Sequence, residues 1–186
     1  EQKLYSDTAI IQSDELFLRF ANAVVNNKKV DKTAKLRYQH LVNIVSNSQP
    51  GKIAPSFEYT DIYNGSGTFT VDTTKVCTVL FFNDPECSDC NMARIRLNAD
   101  AITRILIEKG KVDIVSIYAS EPNQEWIEQA MDYPKEWLTV ASEEVNDLYD
   151  MRSTPVFYLL NPNGAIVLRT YSVDDIITIM TRLNQY

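Results

Sequence analysis

Cysteine is scarce in this chain and histidine almost missing: there are three of the first and one of the second in 186 residues. Three cysteines always leave one over, which excludes a disulfide framework and leaves redox or metal chemistry as the use for any pair. A zinc site would need about two more Cys or His ligands beside that pair. Only Cys77 and His40 remain to supply them, and neither is spaced for it. No apolar run approaches the ~18 residues of a membrane span. Glu1 to Ile10 shows no basic stretch followed by an apolar one, so no signal peptide is visible. The chain as it stands is expected to be soluble, and a start at Glu1, Gln2, Lys3 suits a mature terminus as well as a trimmed one. Cations are also short: 18 Lys and Arg against 25 Asp and Glu give a net charge of −7, which argues against a nucleic-acid partner. There is no internal repeat and no low-complexity segment.

What remains is an ordinary globular composition, 45% hydrophobic and 23% charged, long enough for one substantial core and an appendage. Ser13 to Asn47 carries a helical pattern, with Phe17, Phe20, Ala21 and Val24 on one face and Leu36, His40, Leu41, Ile44 and Val45 on another. Two helices are expected, capped by Ser13 or Asp14 and by Asp31, with His40 as a partly buried structural residue. The run Ser46, Asn47, Ser48, Gln49, Pro50, Gly51 reads as a linker. It divides the chain into an N-terminal helical extension, 1–50, and a main domain, 51–186.

In the main domain, Phe57 to Ile62 and Thr68 to Val71 flank Asn64, Gly65, Ser66, Gly67 as a hairpin. Val76 to Phe82 reads as a strand buried on both faces. Apolar residues then recur as Met92, Ile95, Ala99, Ile102 and Leu106, which predicts one long helix to Gly110, bent near Asn98 to Asp100. Val112 to Tyr118 is a second buried strand, so strand, helix and strand form a βαβ unit. Glu121 to Met131 reads as a helix, Trp137 to Val140 as a strand and Glu143 to Tyr149 as a short helix. Val156 to Leu160 and Ala165 to Arg169 form a hairpin about Asn161, Pro162, Asn163, Gly164. Ser172 with Asp175 resembles a capping box opening a terminal helix through Leu183. The class is α/β.

The chemistry concentrates in Asp84, Pro85, Glu86, Cys87, Ser88, Asp89, Cys90, at the carboxyl end of the first buried strand, where open α/β sheets place their ligand crevices. Two cysteines with a two-residue spacer at a strand-to-helix junction point to redox work. Cys87, at the helix start, meets unpaired N–H groups and the helix dipole, which favour its thiolate by ~0.3–1 kcal/mol and by up to ~2 kcal/mol when partly buried. It is the expected nucleophile, and Cys90, one turn further in, the resolving thiol. Asp84, Glu86 and Asp89 oppose this: at ~7 Å and an effective dielectric of ~40 each carboxylate costs the thiolate roughly 1 kcal/mol. A less stabilised thiolate makes for a reducing couple. Cys77, within the buried strand, is expected to be a packed thiol.

Around these residues the chain resembles the thioredoxin-like superfamily, in particular the extracytoplasmic thiol-disulfide oxidoreductases of the TlpA/ResA sort. The resemblance covers roughly Gly51 to Tyr186. It rests on the opening segment Gly51, Lys52, Ile53, Ala54, Pro55, Ser56, Phe57; on Cys87 to Cys90; on Tyr149, Asp150, Met151, Arg152, Ser153, Thr154, Pro155; and on the Asn163, Gly164 turn. The helical extension and the Asp-Pro-Glu-Cys wording most resemble exported thioredoxin-like proteins of Bacteroidetes. The resemblance implies a thioredoxin-like mixed sheet with helices on both faces. It implies a cis-proline at Pro155, facing the cysteines, with Thr154 offering its backbone to an extended substrate. It also implies protein disulfides as substrates, an upstream electron donor, no bound cofactor and an extracytoplasmic, periplasmic location, with a membrane or lipid anchor in the precursor left open. No Trp precedes Cys87, and Ser88, Asp89 replace the Gly-Pro spacer of thioredoxin. Two other readings stand beside this one: a binding module of the cell envelope with the extension as recognition element, and a peroxiredoxin-like peroxidase. The second is weakened by Asp84, three positions before Cys87, where peroxiredoxins carry Thr or Ser.

Overall fold

Ser13 and Asp31 open the first two helices by the same device. The Ser13 hydroxyl accepts the Leu16 N–H at 3.3 Å ahead of α1 (Asp14–Asn26), and the Asp31 carboxylate accepts the Ala34 N–H at 3.0 Å ahead of α2 (Lys32–Asn47). The computed structural model describes residues 13–185, so the Glu1 to Ile10 stretch read for a signal peptide lies outside the described residues. The two helices pack through Phe17, Ala21, Val42 and Val45. Phe20 and Leu36, placed on the buried faces by periodicity, are exposed, and Val42 takes the interior position instead. His40 is exposed too, with Nε2 3.4 Å from the Asp147 carboxylate, rather than partly buried. The helix α2 continues through Asn47, and Ser48, read as linker, is buried.

The remaining elements are β1 (Phe57–Asp61), β2 (Ser66–Phe69), β3 (Cys77–Asn83), α3 (Ser88–Ala99), α4 (Ala101–Glu108), β4 (Val112–Tyr118), α5 (Gln124–Ala130), β5 (Leu138–Ala141), α6 (Val145–Leu148), β6 (Val156–Leu160), β7 (Ile166–Thr170) and α7 (Val173–Leu183). The strands form one mixed sheet ordered β2-β1-β5-β4-β3-β6-β7. β3, β4 and β5 are parallel, and β6 runs antiparallel to β3 with Phe82 opposite Val156. Every residue of β3 is buried. Alternation sends Val79 and Phe81 to one face, against Leu97, Leu106, Ile176 and Met180 of α3, α4 and α7. It sends Leu80 and Phe82 to the other, against Phe57, Phe69, Val145 and Tyr149.

The single long helix expected after Cys90 is two. Asp100 leaves helical geometry, ends α3, and its carboxylate accepts the Thr103 N–H at 2.7 Å to start α4. The apolar period runs on across this point, but a capping Asp competes with helix continuation. The inward face of α3 is Cys90, Ala93 and Leu97, at helical steps from the cysteine, while Met92 and Ile95 are exposed. The capping box expected at Ser172 does not form: the Asp175 carboxylate accepts from the Thr170 hydroxyl, and that hydroxyl accepts the Ser172 N–H.

A ring of two carboxylates and two guanidiniums seats α1 on the sheet. Asp14 accepts from Arg152, from Arg169 Nη2 at 2.7 Å and from Gln49 Nε2 at 2.8 Å. Asp150 accepts from Arg152 Nη2 at 2.7 Å and from Arg169. Burial alone would raise the Asp14 pKa, but the hydrogen bonds from Gln49 and Arg152 and the two Arg charges hold it below the ordinary value. A depressed carboxyl contributes stability above its unfolded pKa and loses it as pH falls through the folded one.

Two stability measurements check this account. Leu97→Ala is expected to cost about 2–5 kcal/mol in urea melts and Met92→Gln within about 0.5 kcal/mol; equal costs would contradict the assigned faces. Asp14→Asn is expected to cost about 1–3 kcal/mol near neutral pH. That gap should narrow as pH falls from the ordinary carboxylate range through the depressed folded-state pKa of Asp14, below which Asp14 is protonated in both states.

Candidate active site

The candidate site is built where β3 ends. Asn83, its last residue, is buried and polar, and every part of its amide is used. Nδ2 donates to the Ser116 hydroxyl at 2.8 Å and to the Phe81 carbonyl at 3.0 Å, while Oδ1 accepts from the Tyr133 hydroxyl at 3.0 Å. The chain then turns on Asp84, whose carboxylate accepts the Glu86 N–H at 2.8 Å and whose carbonyl accepts the Cys87 N–H at 3.1 Å. From α5, Gln129 Nε2 donates to the Pro85 carbonyl at 2.8 Å and ties the turn down.

Cys87 is the N-cap of α3, in extended geometry, and its sulfur accepts the Cys90 N–H at 3.0 Å. That N–H is one of the unpaired donors of a helix start, and it aims partial positive charge at the sulfur. The two cysteines are joined by a disulfide with their Cα atoms 5.2 Å apart. Cys90 is fully buried, whereas Cys87 is half-buried and reachable. Glu86 and Asp89 are exposed, so water screens their charges more than the sequence arithmetic assumes.

The second wall comes from the far end of the chain. Because Phe82 pairs with Val156, the residues just before β6 stand level with the turn that follows β3. The Thr154–Pro155 peptide bond there is cis, and the Thr154 carbonyl oxygen lies 3.6 Å from Cys87 Sγ. The fold therefore brings together Cys87, Cys90, Thr154 and Pro155, all named from the sequence. Cys77 lies in β3 with its side chain in the core, its thiol pushed up to about 12 by burial and by the Asp113 charge. Trp126 is buried and stacks against Tyr118. Among the described residues no group of three His, Cys, Asp or Glu is placed to hold a metal ion.

Sequence reasoning missed Asn83, Gln129 and Tyr133 as supports of this turn. A signal existed only for Asn83, the polar end of an otherwise apolar run. Gln129 and Tyr133 lie 44 and 50 positions from their partners, in a stretch without distinctive pattern.

This mixed sheet with a CxxC disulfide at the start of α3 defines a thioredoxin-like α/β fold. Among solved structures, a thioredoxin-like protein from Bacteroides caccae matches at a TM-score of 0.80 and 22% identity, over 97% of this chain and 67% of that one. A conserved protein of unknown function from Bacteroides fragilis matches at 0.64 and 27% identity, over 72% of this chain and 99% of that one. The thioredoxin domain of a thiol-disulfide oxidoreductase from Bacteroides vulgatus matches at 0.60 and 20% identity, over 73% and 97%. No protein-family model matches the sequence, and no curated protein matches it. The likeness to the first and third of these structures is one of fold.

With the disulfide reduced, iodoacetamide at about pH 8 is expected to label Cys87 rapidly and Cys77 far more slowly, read by peptide mass mapping. Comparable labelling of Cys77 in the folded chain would contradict its burial.

Proposed function

We propose that the chain is a thiol-disulfide oxidoreductase that reduces disulfides in extended polypeptide, in an extracytoplasmic, periplasmic setting. One observation carries this reading: a CxxC pair at a helix start with a half-buried Cys87 whose sulfur lies 3.6 Å from the carbonyl of Thr154. The location rests on the sequence resemblance.

In the reduced protein, the Cys87 thiolate attacks one sulfur of the substrate disulfide, forming a mixed disulfide and expelling the other substrate sulfur as a thiolate. Cys90 gives up its proton and attacks Cys87 Sγ, which releases the second substrate sulfur and closes the Cys87–Cys90 disulfide. Two electrons have passed to the substrate, and an external dithiol donor must return them. Thr154 and Pro155 act as the substrate-side wall, with backbone polar groups available to an extended chain. The Cys90 N–H and the α3 dipole support the Cys87 thiolate, and Asp84, Glu86 and Asp89 oppose that support only weakly because water screens them. No bound cofactor enters the cycle.

Cys90→Ala is expected to accumulate Cys87 mixed disulfides with polypeptide substrates, seen as thiol-sensitive adducts on non-reducing gels. Equilibration with glutathione should place the wild-type couple nearer about −270 mV than about −120 mV. A potential at the oxidising end, or a Cys90→Ala chain that alkylates readily yet traps no polypeptide, would overturn the reading.

A further inference from the structure

We propose that Asp14, on α1, is a positioning residue for the Thr154–Pro155 wall, acting through Arg152. The inference rests on the reduction of polypeptide disulfides proposed above and adds to it a role for the N-terminal helical hairpin.

Residues 150–155 form no helix or strand, and of them only Asp150 is buried. At one end the Asp150 N–H donates to the Ser48 hydroxyl at 2.8 Å, and the Asp150 carbonyl accepts from the Tyr158 hydroxyl at 3.0 Å. At the other end Val156 enters the ladder opposite Phe82. Between them stands Arg152, two residues before Thr154, with a side chain only 5% exposed. Its guanidinium donates to Asp150 from Nε at 3.2 Å and from Nη2 at 2.7 Å, and Nη2 also reaches Asp14. Arg169, on β7, closes the ring by bonding both carboxylates.

Three members of the ring lie beyond residue 148, and Asp14 alone comes from the helical hairpin. It is also held from its own side, since Gln49 Nε2 bridges the Asp14 carboxylate at 2.8 Å and the Val45 carbonyl at 2.9 Å. A buried ion cluster is a poor way to gain stability, because desolvation offsets most of the attraction. What a guanidinium between two fixed carboxylates does provide is direction, since its planar fork admits few orientations. Here that direction sets the path of the backbone leading to the Thr154 carbonyl. With Asp14 neutral, the charge attraction of both guanidiniums falls on the Asp150 carboxylate alone, and the tie from Arg152 to α1 weakens to an ordinary hydrogen bond. The wall that an extended substrate must pair with then drifts. Cys87 and Cys90 are held by the turn after β3 and the first turn of α3, so attack on a small disulfide, which needs no backbone wall, is expected to change little.

The test uses the full chain at room temperature, with circular dichroism showing each variant folded. Insulin serves as the polypeptide disulfide and 5,5′-dithiobis(2-nitrobenzoate) as a small one that needs no backbone pairing. Asp14→Asn is expected to raise KM for insulin about 5–10-fold while kcat and the small-disulfide rate stay within about twofold. Arg152→Lys, which keeps the charge and loses the fork, should show the same split. Val42→Ala, which weakens the hairpin core away from the ring, should change none of the three beyond about twofold. An insulin KM unchanged in both ring variants overturns the proposal, as does a parallel loss on both substrates matched by Val42→Ala. A wild-type chain that reduces the small disulfide but not insulin overturns the polypeptide reading and this inference with it.

Discussion

The antiparallel register of β3 against β6 is the constraint on which the rest depends. β3 is buried along its whole length and hydrogen-bonded on both sides, to β4 in parallel and to β6 in antiparallel. With Phe82 opposite Val156, the chain leaves β3 and enters β6 at the same edge of the sheet. The CxxC turn and the Thr154–Pro155 segment, 67 residues apart in sequence, must then face one another. A shift of one residue in this pairing would turn Leu80 and Phe82 to the wrong core and move the carbonyl away from the sulfur. Both faces of β3 enforce the register, since each carries large aromatic contacts: Phe81 stacks on Phe157 on one side, and Phe82 packs on Tyr149 and Tyr158 on the other.

Electrostatics near the site is divided by burial. The acids flanking Cys87 are exposed or partly so, and their influence on the sulfur is screened. Among the described residues the carboxylate with no exposure, Asp150, is matched to guanidiniums in the ring with Asp14. Cys90, also fully buried, sits in an apolar cluster with Phe81, Ala93, Leu97 and Tyr133. In the proposed cycle, the attacking cysteine is thus the half-buried one beside the helix-start N–H, and the resolving cysteine is the fully buried one. Such an arrangement favours an ordered sequence of attack over two interchangeable nucleophiles.

Much of this was legible in the sequence because it is local. An unbroken apolar run marks β3, Asn-Pro-Asn-Gly marks the β6–β7 turn, and Ser13 and Asp31 mark helix starts. The CxxC pair and Thr154–Pro155 stood out in the same way. Failures came where geometry is decided at a distance. Met92 and Ile95 obey the helical period as well as Ala93 and Leu97 do, and only the seating of Cys90 against the sheet chooses between them. Asp14 and Arg152 are separated by 138 positions, so no pattern could pair them. His40 sits on the outer side of α2 because the interior of the hairpin is filled by Phe17, Ala21, Val42 and Val45.

The break at Asp100 has a consequence for how such a molecule can vary. The field a helix start exerts is generated in its first turn and gains little from length. Ending α3 at Ala99 therefore takes nothing from Cys87, while α4 begins afresh on its own cap and follows its own axis into the packing with α7. The field at Cys87 is therefore set by the first turn of α3 alone, whereas Leu106 of α4 meets Cys90 only through their shared core cluster. Changes on the exposed side of α4 can accumulate without altering the helix start that faces the sulfur.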